Sequence, residues 1–269
     1  PFARERTPGY RRVLVFGDSF TAGDAVPNRQ RYTDLLEARL PAAGTPPVEV
    51  YNFGLSSTGT DQQYLIWREF ARDIEHDVVV VAVFVENIRR VVAQFRPHRD
   101  EHGIERIYAK PYFQLENDVL RLCQIPPRRD PYEEHELDAH QAAAVDQGGR
   151  FLMLRKMVTK LGMREMAQHL TQYQPLPHYD SPANPAWRLM RAILTEWIRA
   201  LDRPVLLMPL PLPQHLDETC DPAPYQARFA ELALELGCRL HDPLPDLLRI
   251  PSATRRQLRW EKDIHFTPA

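Results

Sequence analysis

The residue best placed to act as a nucleophile is Ser19, in the tripeptide Gly17-Asp18-Ser19. It follows a short apolar run, residues 13–16, which predicts a buried strand that ends at the glycine. A tight turn after such a strand presents side chains at the carboxyl edge of a parallel sheet, where α/β proteins bind their ligands. A serine hydroxyl is a poor nucleophile at neutral pH, so Ser19 requires a nearby base and hydrogen-bond donors for the oxyanion.

Three later segments offer such partners. Gly54 follows a second apolar run, and its backbone can approach a substrate closely because glycine has no Cβ. Asn87 follows a third run, residues 78–85, and brings a side-chain amide to the end of a central strand. Asp263 and His265 stand near the end of the chain, a carboxylate two residues before a histidine. The chain therefore carries a candidate nucleophile, candidate donors and a candidate base, in that order.

In these residues and their order, the chain resembles the SGNH hydrolases of the GDSL esterase and lipase superfamily. The four name-giving residues of that family correspond to Ser19, Gly54, Asn87 and His265. The resemblance implies that Ser19 is the nucleophile, that His265 is the general base and that Asp263 orients it. It also implies an oxyanion hole formed by the N–H groups of Ser19 and Gly54 and by the side-chain amide of Asn87. No cofactor and no metal ion are expected.

Two positions depart from the family pattern. Val85 stands two residues before the asparagine, where the family usually has a glycine, and this difference bears on the shape of the substrate site. Lys262 stands three residues before His265, where the family usually has the aspartate, and a cation cannot orient an imidazolium. Asp263 has instead the two-residue spacing of SGNH-like polysaccharide O-acetyltransferases. Glu261 is the alternative carboxylate.

The resemblance implies acyl-ester chemistry with an acyl-enzyme on Ser19. If water resolves that intermediate, the protein is a serine esterase that hydrolyses O-acyl esters with short chains or on carbohydrates. If a sugar or another hydroxyl resolves it, the protein is an O-acyltransferase. A third interpretation is a non-catalytic SGNH-like module that binds a glycan or another small molecule. The expected partner is a small-molecule or carbohydrate ester.

Apolar runs alternate with segments of helical periodicity over much of the chain. Strands are predicted over 13–16, 48–52, 78–85, 205–208 and 238–241, and helices over 32–40, 60–72, 186–201 and 225–236. This alternation predicts a doubly wound α/β fold with a mainly parallel five-stranded sheet, which is the flavodoxin-like fold of the SGNH family. We expect a single domain over residues 1–269, in which the insertion 95–185 forms a cap that shapes the substrate pocket.

The insertion itself has a weaker pattern. Residues 89–95 continue as a predicted helix, and a polar loop is predicted between Pro97 and Gly103. Residues 110–122 predict a hairpin that turns at 116–118. Residues 133–147 predict a solvated helix, and residues 151–169 carry apolar side chains at helical spacing, which we interpret as core packing.

Composition narrows the classes of partner and location. The 269-residue chain has 34 basic and 36 acidic residues and a formal charge of −2, so no net charge attracts it to nucleic acid. Its three cysteines are widely spaced and form no CxxC pair, which predicts buried free thiols rather than disulfides or a zinc site. No apolar run reaches the roughly 18 residues that a membrane span requires. A cytoplasmic location is the default, which a leader or anchor preceding Pro1 would change. The oligomeric state is left open.

One cluster has the spacing of a zinc site. His98 and His102 fit the H-x-x-E-H pattern, which requires a helix that places both histidines on one face. Pro97 and Gly103 bracket the cluster and leave hardly more than one helical turn between them. The sequence therefore favours a solvated loop over metal binding.

Two further residues near the predicted sheet edge carry chemistry. His241 precedes an aspartate at a strand end and is a rival base for Ser19, but His265 is the better match to the family order. Asp18 is expected to stabilise the turn by accepting backbone N–H bonds rather than to act in the chemistry.

Overall fold

The structure is a computed structural model that describes residues 2–40, 45–133, 136–137, 174–260, 263 and 265–268. The strands in these residues are β1 (Arg11–Gly17), β2 (Val48–Gly54), β3 (Val78–Phe84), β4 (Phe95–Arg99), β5 (Glu105–Ala109), β6 (Tyr112–Glu116), β7 (Val119–Cys123), β8 (Val205–Leu210) and β9 (Arg239–Leu240). The α-helices are α1 (Ser19–Ala22), α2 (Tyr32–Arg39), α3 (Thr60–Ile66), α4 (Asn87–Val92), α5 (Pro185–Ala200), α6 (Pro213–Leu216), α7 (Ala223–Leu236), α8 (Leu244–Leu248) and α9 (Ser252–Gln257). A π-helical segment, Trp67–Ala71, continues α3, and Pro177–Tyr179 form a 3₁₀ turn.

The central sheet of the described chain has five strands, all parallel, in the order β2–β1–β3–β8–β9. The chain therefore leaves β1 toward one edge of the sheet to form β2 and then crosses back to form β3 on the other side. In open α/β sheets, ligands bind beyond the carboxyl ends of the strands at the point where this reversal occurs. Here that point is the end of β1, immediately before Ser19.

The two central strands are buried on both faces, which explains their continuous apolar sequences. Leu14, Val15 and Phe16 of β1 are fully buried, and so are most side chains of β3. One face of the sheet packs against α2, through Val13, Val15 and Val80. The other face carries the larger core, which includes the buried side chains of α5. This two-faced arrangement confirms the predicted doubly wound α/β fold.

Helix α5 shows how the sequence builds the larger core. Asn184 caps its first turn by accepting a hydrogen bond from the Ala186 N–H at 3.0 Å, and a proline occupies the first helical position. One face of the helix is then buried against the sheet through Trp187, Met190, Ile193, Leu194 and Trp197. The ring of Trp197 meets Phe16 of β1 edge-on, with the ring centroids 5.3 Å apart.

The amino-terminal segment is attached to the sheet by a buried arginine. Arg12 of β1 is fully buried, and its Nε donates to Glu49 Oε1 of β2 at 2.8 Å. Its two terminal nitrogens donate to the carbonyl oxygens of Ala3, Arg4, Glu5 and Glu75. Its guanidinium also lies 4.3 Å from the ring centroid of Tyr51. A single side chain therefore holds residues 3–5 against the edge of the sheet.

The insertion departs in part from the sequence prediction. The hairpin expected over 110–122 is present as β6 and β7. The polar loop predicted between Pro97 and Gly103 is shorter than expected, because Phe95–Arg99 and Glu105–Ala109 pair as an antiparallel hairpin and only residues 100–104 form its turn. The helix expected over 89–95 begins at Asn87 and ends at Val92. The helix expected over 151–169 and most of that over 133–147 lie outside the described residues.

Two smaller expectations concern cysteines and membrane spans. The three cysteines, Cys123, Cys220 and Cys238, are free thiols that are half-buried. In the part of the chain that the structure describes, no helix combines the length and the apolar character needed to cross a bilayer.

Candidate active site

Ser19 lies at a sharp turn between β1 and the short helix α1. Gly17 ends the strand, and a Cβ at this position would lie 2.0 Å from Thr21 Oγ1, so only glycine fits. Asp18 caps α1, because its Oδ1 accepts a hydrogen bond from the Phe20 N–H at 3.1 Å. This bond confirms the stabilising role expected for Asp18. The turn leaves Ser19 as the first residue of α1, and its own N–H donates to no acceptor in the described part of the chain.

His265 lies on a carboxy-terminal loop that returns to the sheet edge. Its carbonyl oxygen accepts a hydrogen bond from the Trp260 N–H at 3.2 Å, and the Thr267 N–H donates to the Leu258 carbonyl at 2.8 Å. The imidazole packs against Phe20, with the ring centroids 4.8 Å apart. These contacts hold the imidazole against the helix that begins with Ser19.

The three residues expected to form the catalytic unit lie together. Ser19 Oγ lies 2.7 Å from His265 Nε2, and His265 Nδ1 lies 2.5 Å from Asp263 Oδ1. An ionised carboxylate can only accept a hydrogen bond, so Nδ1 carries the proton and Nε2 is free to accept one from the serine hydroxyl. Asp263 Oδ1 also accepts the His265 backbone N–H at 3.0 Å, which fixes the short span between the two residues. The arrangement can withdraw a proton from Ser19.

Asn87 is brought to the same place by β3 and α4. It is the first residue of α4 and is fully buried. Its Nδ2 donates to Asp18 Oδ2 at 3.1 Å, while its Oδ1 has no hydrogen-bond partner among the described residues. The amide nitrogen therefore faces the turn that carries Ser19, and it keeps a second N–H that this bond does not use.

Gly54 has a different role from the one expected. Its N–H donates to Asn52 Oδ1 at 2.8 Å, so this N–H is already engaged and is not presented to an oxyanion. A Cβ at Gly54 would lie 2.2 Å from the backbone nitrogen of Ala22 and 2.6 Å from the carbonyl carbon of Thr21. The expectation for Gly54 is therefore corrected: glycine is required here because the end of β2 packs directly on α1.

Asn52 and Arg90 are positioning residues that the sequence reasoning missed. Asn52 Nδ2 donates to the Thr21 carbonyl at 2.7 Å and to Thr33 Oγ1 at 2.9 Å, which joins β2 to α1 and α2. Arg90 reaches Asp18 Oδ2 at 3.4 Å. A signal for Asn52 was available, since it is a polar residue close to the end of an otherwise apolar strand. No signal pointed to Arg90, which lies beside Arg89, the other arginine of α4.

Asp18 is the charged group buried nearest to the nucleophile. Burial raises the pKa of its carboxyl, and the positive charge of Arg90 is the largest influence in the opposite direction. Tyr32 lies on the other side of the turn, where its hydroxyl lies 3.0 Å from Thr21 Oγ1. Burial raises the pKa of Tyr32 as well, so this hydroxyl stays neutral.

A pocket of about 330 Å³ opens beside Ser19 and His265. Its lining is mainly apolar and comes from four segments, which contribute Phe20, Ala25, Val26 and Leu35; Met208, Leu210 and Pro211; Pro243, Leu247 and Leu258; and Phe266 and Pro268. None of the lining residues belongs to the described part of the insertion 95–185. The pocket is large enough for a small apolar group attached to the reacting centre.

The two alternative sites, the zinc pattern at His98 and His102 and the His241–Asp242 pair, have other roles in the structure. His98 lies on β4 and His102 in the turn that follows, which is not the helical arrangement that the zinc pattern needs. Across the residues that the structure describes, no group of three potential metal ligands is found. The Asp242 carboxylate that follows His241 accepts hydrogen bonds from Tyr225, Gln226 and the Leu244 N–H, so it serves the local packing at the other edge of the sheet.

The profile of the GDSL-like lipase/acylhydrolase family matches residues 15–269. This span includes nearly the whole chain and all of the residues around Ser19. The chain belongs to the GDSL-like lipase/acylhydrolase family. It is therefore an ester-hydrolysing enzyme, and the interpretation as a non-catalytic binding module is set aside.

One solved structure, a lipase/acylhydrolase, shares the fold of the chain. A lipase/acylhydrolase from Enterococcus faecalis is 13% identical, with a TM-score of 0.50 over 96% of this chain and 87% of that one. AlinE4, an SGNH-hydrolase family esterase, is 16% identical, with a TM-score of 0.49 over 97% of this chain and 89% of that one. No curated protein sequence gives a significant match. At 13% identity, the likeness to the Enterococcus faecalis protein concerns the fold alone.

Proposed function

We propose that this GDSL-family enzyme is a serine esterase that hydrolyses O-acyl esters through Ser19, His265 and Asp263. The observation that carries the proposal is the hydrogen-bonded series from Ser19 Oγ to His265 Nε2 and from His265 Nδ1 to Asp263. In the proposed reaction, His265 takes the proton of Ser19 while Oγ attacks the ester carbonyl. Asp263 stabilises the imidazolium that forms, and His265 then returns the proton to the leaving alcohol.

The oxyanion requires donors that are not already engaged. The proposal assigns the N–H of Ser19 and the second N–H of Asn87 Nδ2 to this role, because neither is used in the described structure.

The pocket beside Ser19 favours an ester with a small apolar group. Its walls are formed mainly by aliphatic and aromatic side chains, whose burial against a hydrocarbon chain contributes about 25 cal/mol per Å². We therefore expect short acyl chains to be accepted in this pocket. None of the described residues that line it comes from the insertion 95–185. That insertion remains a proposed cap.

The experiment uses a fluorophosphonate probe, intact mass spectrometry and an ester panel. The wild type should take up one probe molecule and hydrolyse p-nitrophenyl esters or acetylated sugars, and Ser19→Ala should do neither while unfolding at the same temperature. We expect kcat to fall on the order of 10⁴-fold or more in Ser19→Ala. Probe uptake that persists in Ser19→Ala would place the reactive group elsewhere.

A second candidate function is O-acyl transfer to a sugar or another hydroxyl. The observation in its favour is that Asp263, at the two-residue spacing, is the carboxylate that contacts His265. The same acyl-enzyme serves both reactions, and they differ only in the acceptor. Hydrolysis assays with added mono- and oligosaccharides separate them, because a transferase yields acylated sugar at the expense of the free acid.

A further inference from the structure

The carboxylate of Asp18 joins three groups around the nucleophile. Its Oδ1 accepts the Phe20 N–H, and its Oδ2 accepts both Asn87 Nδ2 at 3.1 Å and the Arg90 guanidinium at 3.4 Å. Asp18 and Asn87 are fully buried, and the Arg90 side chain is 19% exposed. Arg90 lies three residues after Asn87, on the same helix, so one element delivers both the amide and the cation.

The position of Arg90 is itself fixed. Its NH1 also donates to the Thr58 carbonyl oxygen at 3.1 Å, in the loop between β2 and α3. The guanidinium therefore cannot move away from Asp18 without leaving a buried carbonyl unpaired. The contact is a feature of the packed interior rather than a surface ion pair.

The orientation of the Asn87 amide depends on the charge of Asp18. An ionised carboxylate only accepts hydrogen bonds, so it requires Asn87 to present Nδ2. A protonated carboxyl could instead donate to Asn87 Oδ1, which in the present orientation is buried without a partner among the described residues. The amide would then turn over and remove its N–H groups from the nucleophile. An ionised Asp18 therefore admits only the orientation that presents Nδ2, whereas a protonated Asp18 also admits the inverted one.

Arg90 is the permanent charge that can keep Asp18 ionised. The other titratable groups facing the carboxylate are His265, which carries a charge only when protonated, and Tyr32, whose buried hydroxyl is neutral. Desolvation opposes ionisation at a fully buried site, and a cation in contact offsets it. Without Arg90, the neutral form of Asp18 becomes favourable and so does the inverted amide.

We propose that Arg90 is a positioning residue that holds the Asn87 amide in its catalytic orientation by keeping Asp18 ionised. This inference rests on the proposed function, because it concerns the oxyanion donor of that reaction. Arg90 acts through Asp18 and does not touch the ester. In this proposal, the charge of the buried Asp18 carboxylate sets the orientation of the uncharged Asn87 amide.

The first test replaces the arginine and follows kcat, KM and the pH profile with an ester that the wild type hydrolyses. Arg90→Met should lower kcat at neutral pH by up to about 10²- to 10³-fold, the range for loss of one oxyanion donor, with KM changed less than twofold. Loss of the cation raises the pKa of Asp18, so activity should return as the pH is raised and Asp18 ionises. Arg90→Lys should retain most of kcat and the wild-type profile.

The adjacent Arg89 provides the matched control. Its guanidinium contacts Glu86 at 3.0 Å and the Pro175 carbonyl at 2.6 Å but does not contact Asp18. Arg89→Met should leave kcat and the pH profile within twofold of the wild type. An Arg90→Met enzyme whose profile keeps the wild-type shape, or an Arg90→Lys enzyme as impaired as Arg90→Met, overturns the proposal.

The second test adds a variant of Asp18, so the proposal can be tested even if Arg90→Met folds poorly. Asp18→Asn mimics the protonated carboxyl, keeps an oxygen for the Phe20 N–H and should lower kcat as Arg90→Met does, without recovery at high pH. Adding Arg90→Met to Asp18→Asn should then cost no further activity, because the charge that Arg90 stabilises is gone. Additive losses in the double variant contradict the proposal. Absence of ester turnover and of Ser19 labelling in the wild type would instead refute the proposed esterase function.

Discussion

The backbone of Gly54 packs directly against that of Ala22: a Cβ on the glycine would lie 2.2 Å from the Ala22 nitrogen. Because Ala22 ends the helix that begins with Ser19, Gly54→Ala should displace that helix. We expect the free energy of unfolding to fall by about 1–3 kcal/mol and kcat to fall by at least about tenfold. Urea unfolding and ester hydrolysis measure the two effects.

Gly103→Ala is the control for Gly54→Ala. Gly103 has a φ of 75° and open space around its Cβ position, so this variant introduces only backbone strain, about 1–2 kcal/mol. Its activity should match that of the wild type. Equal activity losses in the two variants would show that the contact with Ala22 is not what positions Ser19.

Asp263→Asn tests the carboxylate that contacts His265. An amide cannot stabilise the imidazolium and favours the wrong tautomer, so kcat should fall by roughly 10²- to 10⁴-fold with KM little changed. The Asp263 side chain is 50% exposed, so water replaces part of its effect and the loss should fall short of that for Ser19→Ala. Glu261→Gln is the comparison. If it reduces kcat more than Asp263→Asn does, Glu261 is the orienting carboxylate.

Ala25→Trp tests whether the apolar pocket holds the acyl chain. Ala25 lines the pocket between α1 and α2, and an indole there would occupy much of its volume. The ratio kcat/KM should fall by about tenfold or more for hexanoyl and octanoyl esters while acetyl esters are hydrolysed nearly as before. Ala183→Trp, at an exposed loop position, should leave the chain-length preference unchanged. A uniform loss across all chain lengths would place the acyl chain elsewhere.

Arg12→Met tests the attachment of the amino-terminal segment. The substitution removes a buried cation and leaves Glu49 without its main partner, together with four carbonyl groups. Breaking a buried pair of this kind costs about 3–5 kcal/mol, which thermal or urea unfolding will detect. The neighbouring Arg11 is exposed on the same strand, and Arg11→Met should change stability by less than about 0.5 kcal/mol. Similar losses in the two variants would argue against the buried network as the cause.

His215 makes stability depend on pH. Burial lowers its pKa to about 4, and its Nδ1 accepts the Leu212 N–H at 3.1 Å, so the folded protein keeps this imidazole neutral. The unfolded chain binds the proton near pH 6.5, so the contribution to stability is present at neutral pH and is lost as the pH falls toward 4. Between pH 7 and 5 the loss should amount to about 1–2 kcal/mol.

His215→Gln removes this titration while keeping an acceptor at a helix position where glutamine is favoured. Its stability should therefore decline less than that of the wild type between pH 7 and 5, when both are unfolded in urea. His102→Gln is the control, because His102 is exposed and its loss should leave the wild-type slope. If His215→Gln declines as steeply as the wild type, other groups cause the acid sensitivity.

The sheet was predictable because its signals are local, whereas the grouping of Ser19 with Asp263 and His265 was predicted from the resemblance to a known family. The apolar runs that became β1 and β3 are long enough to identify buried strands, and Asp263 and His265 are nearly adjacent in the chain. The β4–β5 hairpin could not be predicted, because its first strand is polar and contains Pro97, a pattern that is typical of a loop. Arg90 could not be found either, since its partner Asp18 lies 72 positions away and only the fold brings them together.

The hydrogen bond made by the Gly54 N–H illustrates a second limit of prediction from sequence. The sequence places Gly54 at the end of β2, but it does not show whether the backbone there is approached by a substrate or by another segment of the chain. The side chain of Asn52, two residues earlier, accepts the very N–H that seemed available. This hydrogen bond depends on the side-chain rotamer of Asn52, which a pattern of residue types does not specify.

Ser19 and His265 are separated by 246 positions in the chain, although their side chains meet. At translation rates of about 5–20 residues per second, the serine is incorporated roughly 12–50 s before the histidine. Throughout that interval the nascent chain lacks the base that the proposed mechanism requires. The proposed catalytic unit therefore forms only once the segment that carries Asp263 and His265 has been synthesised.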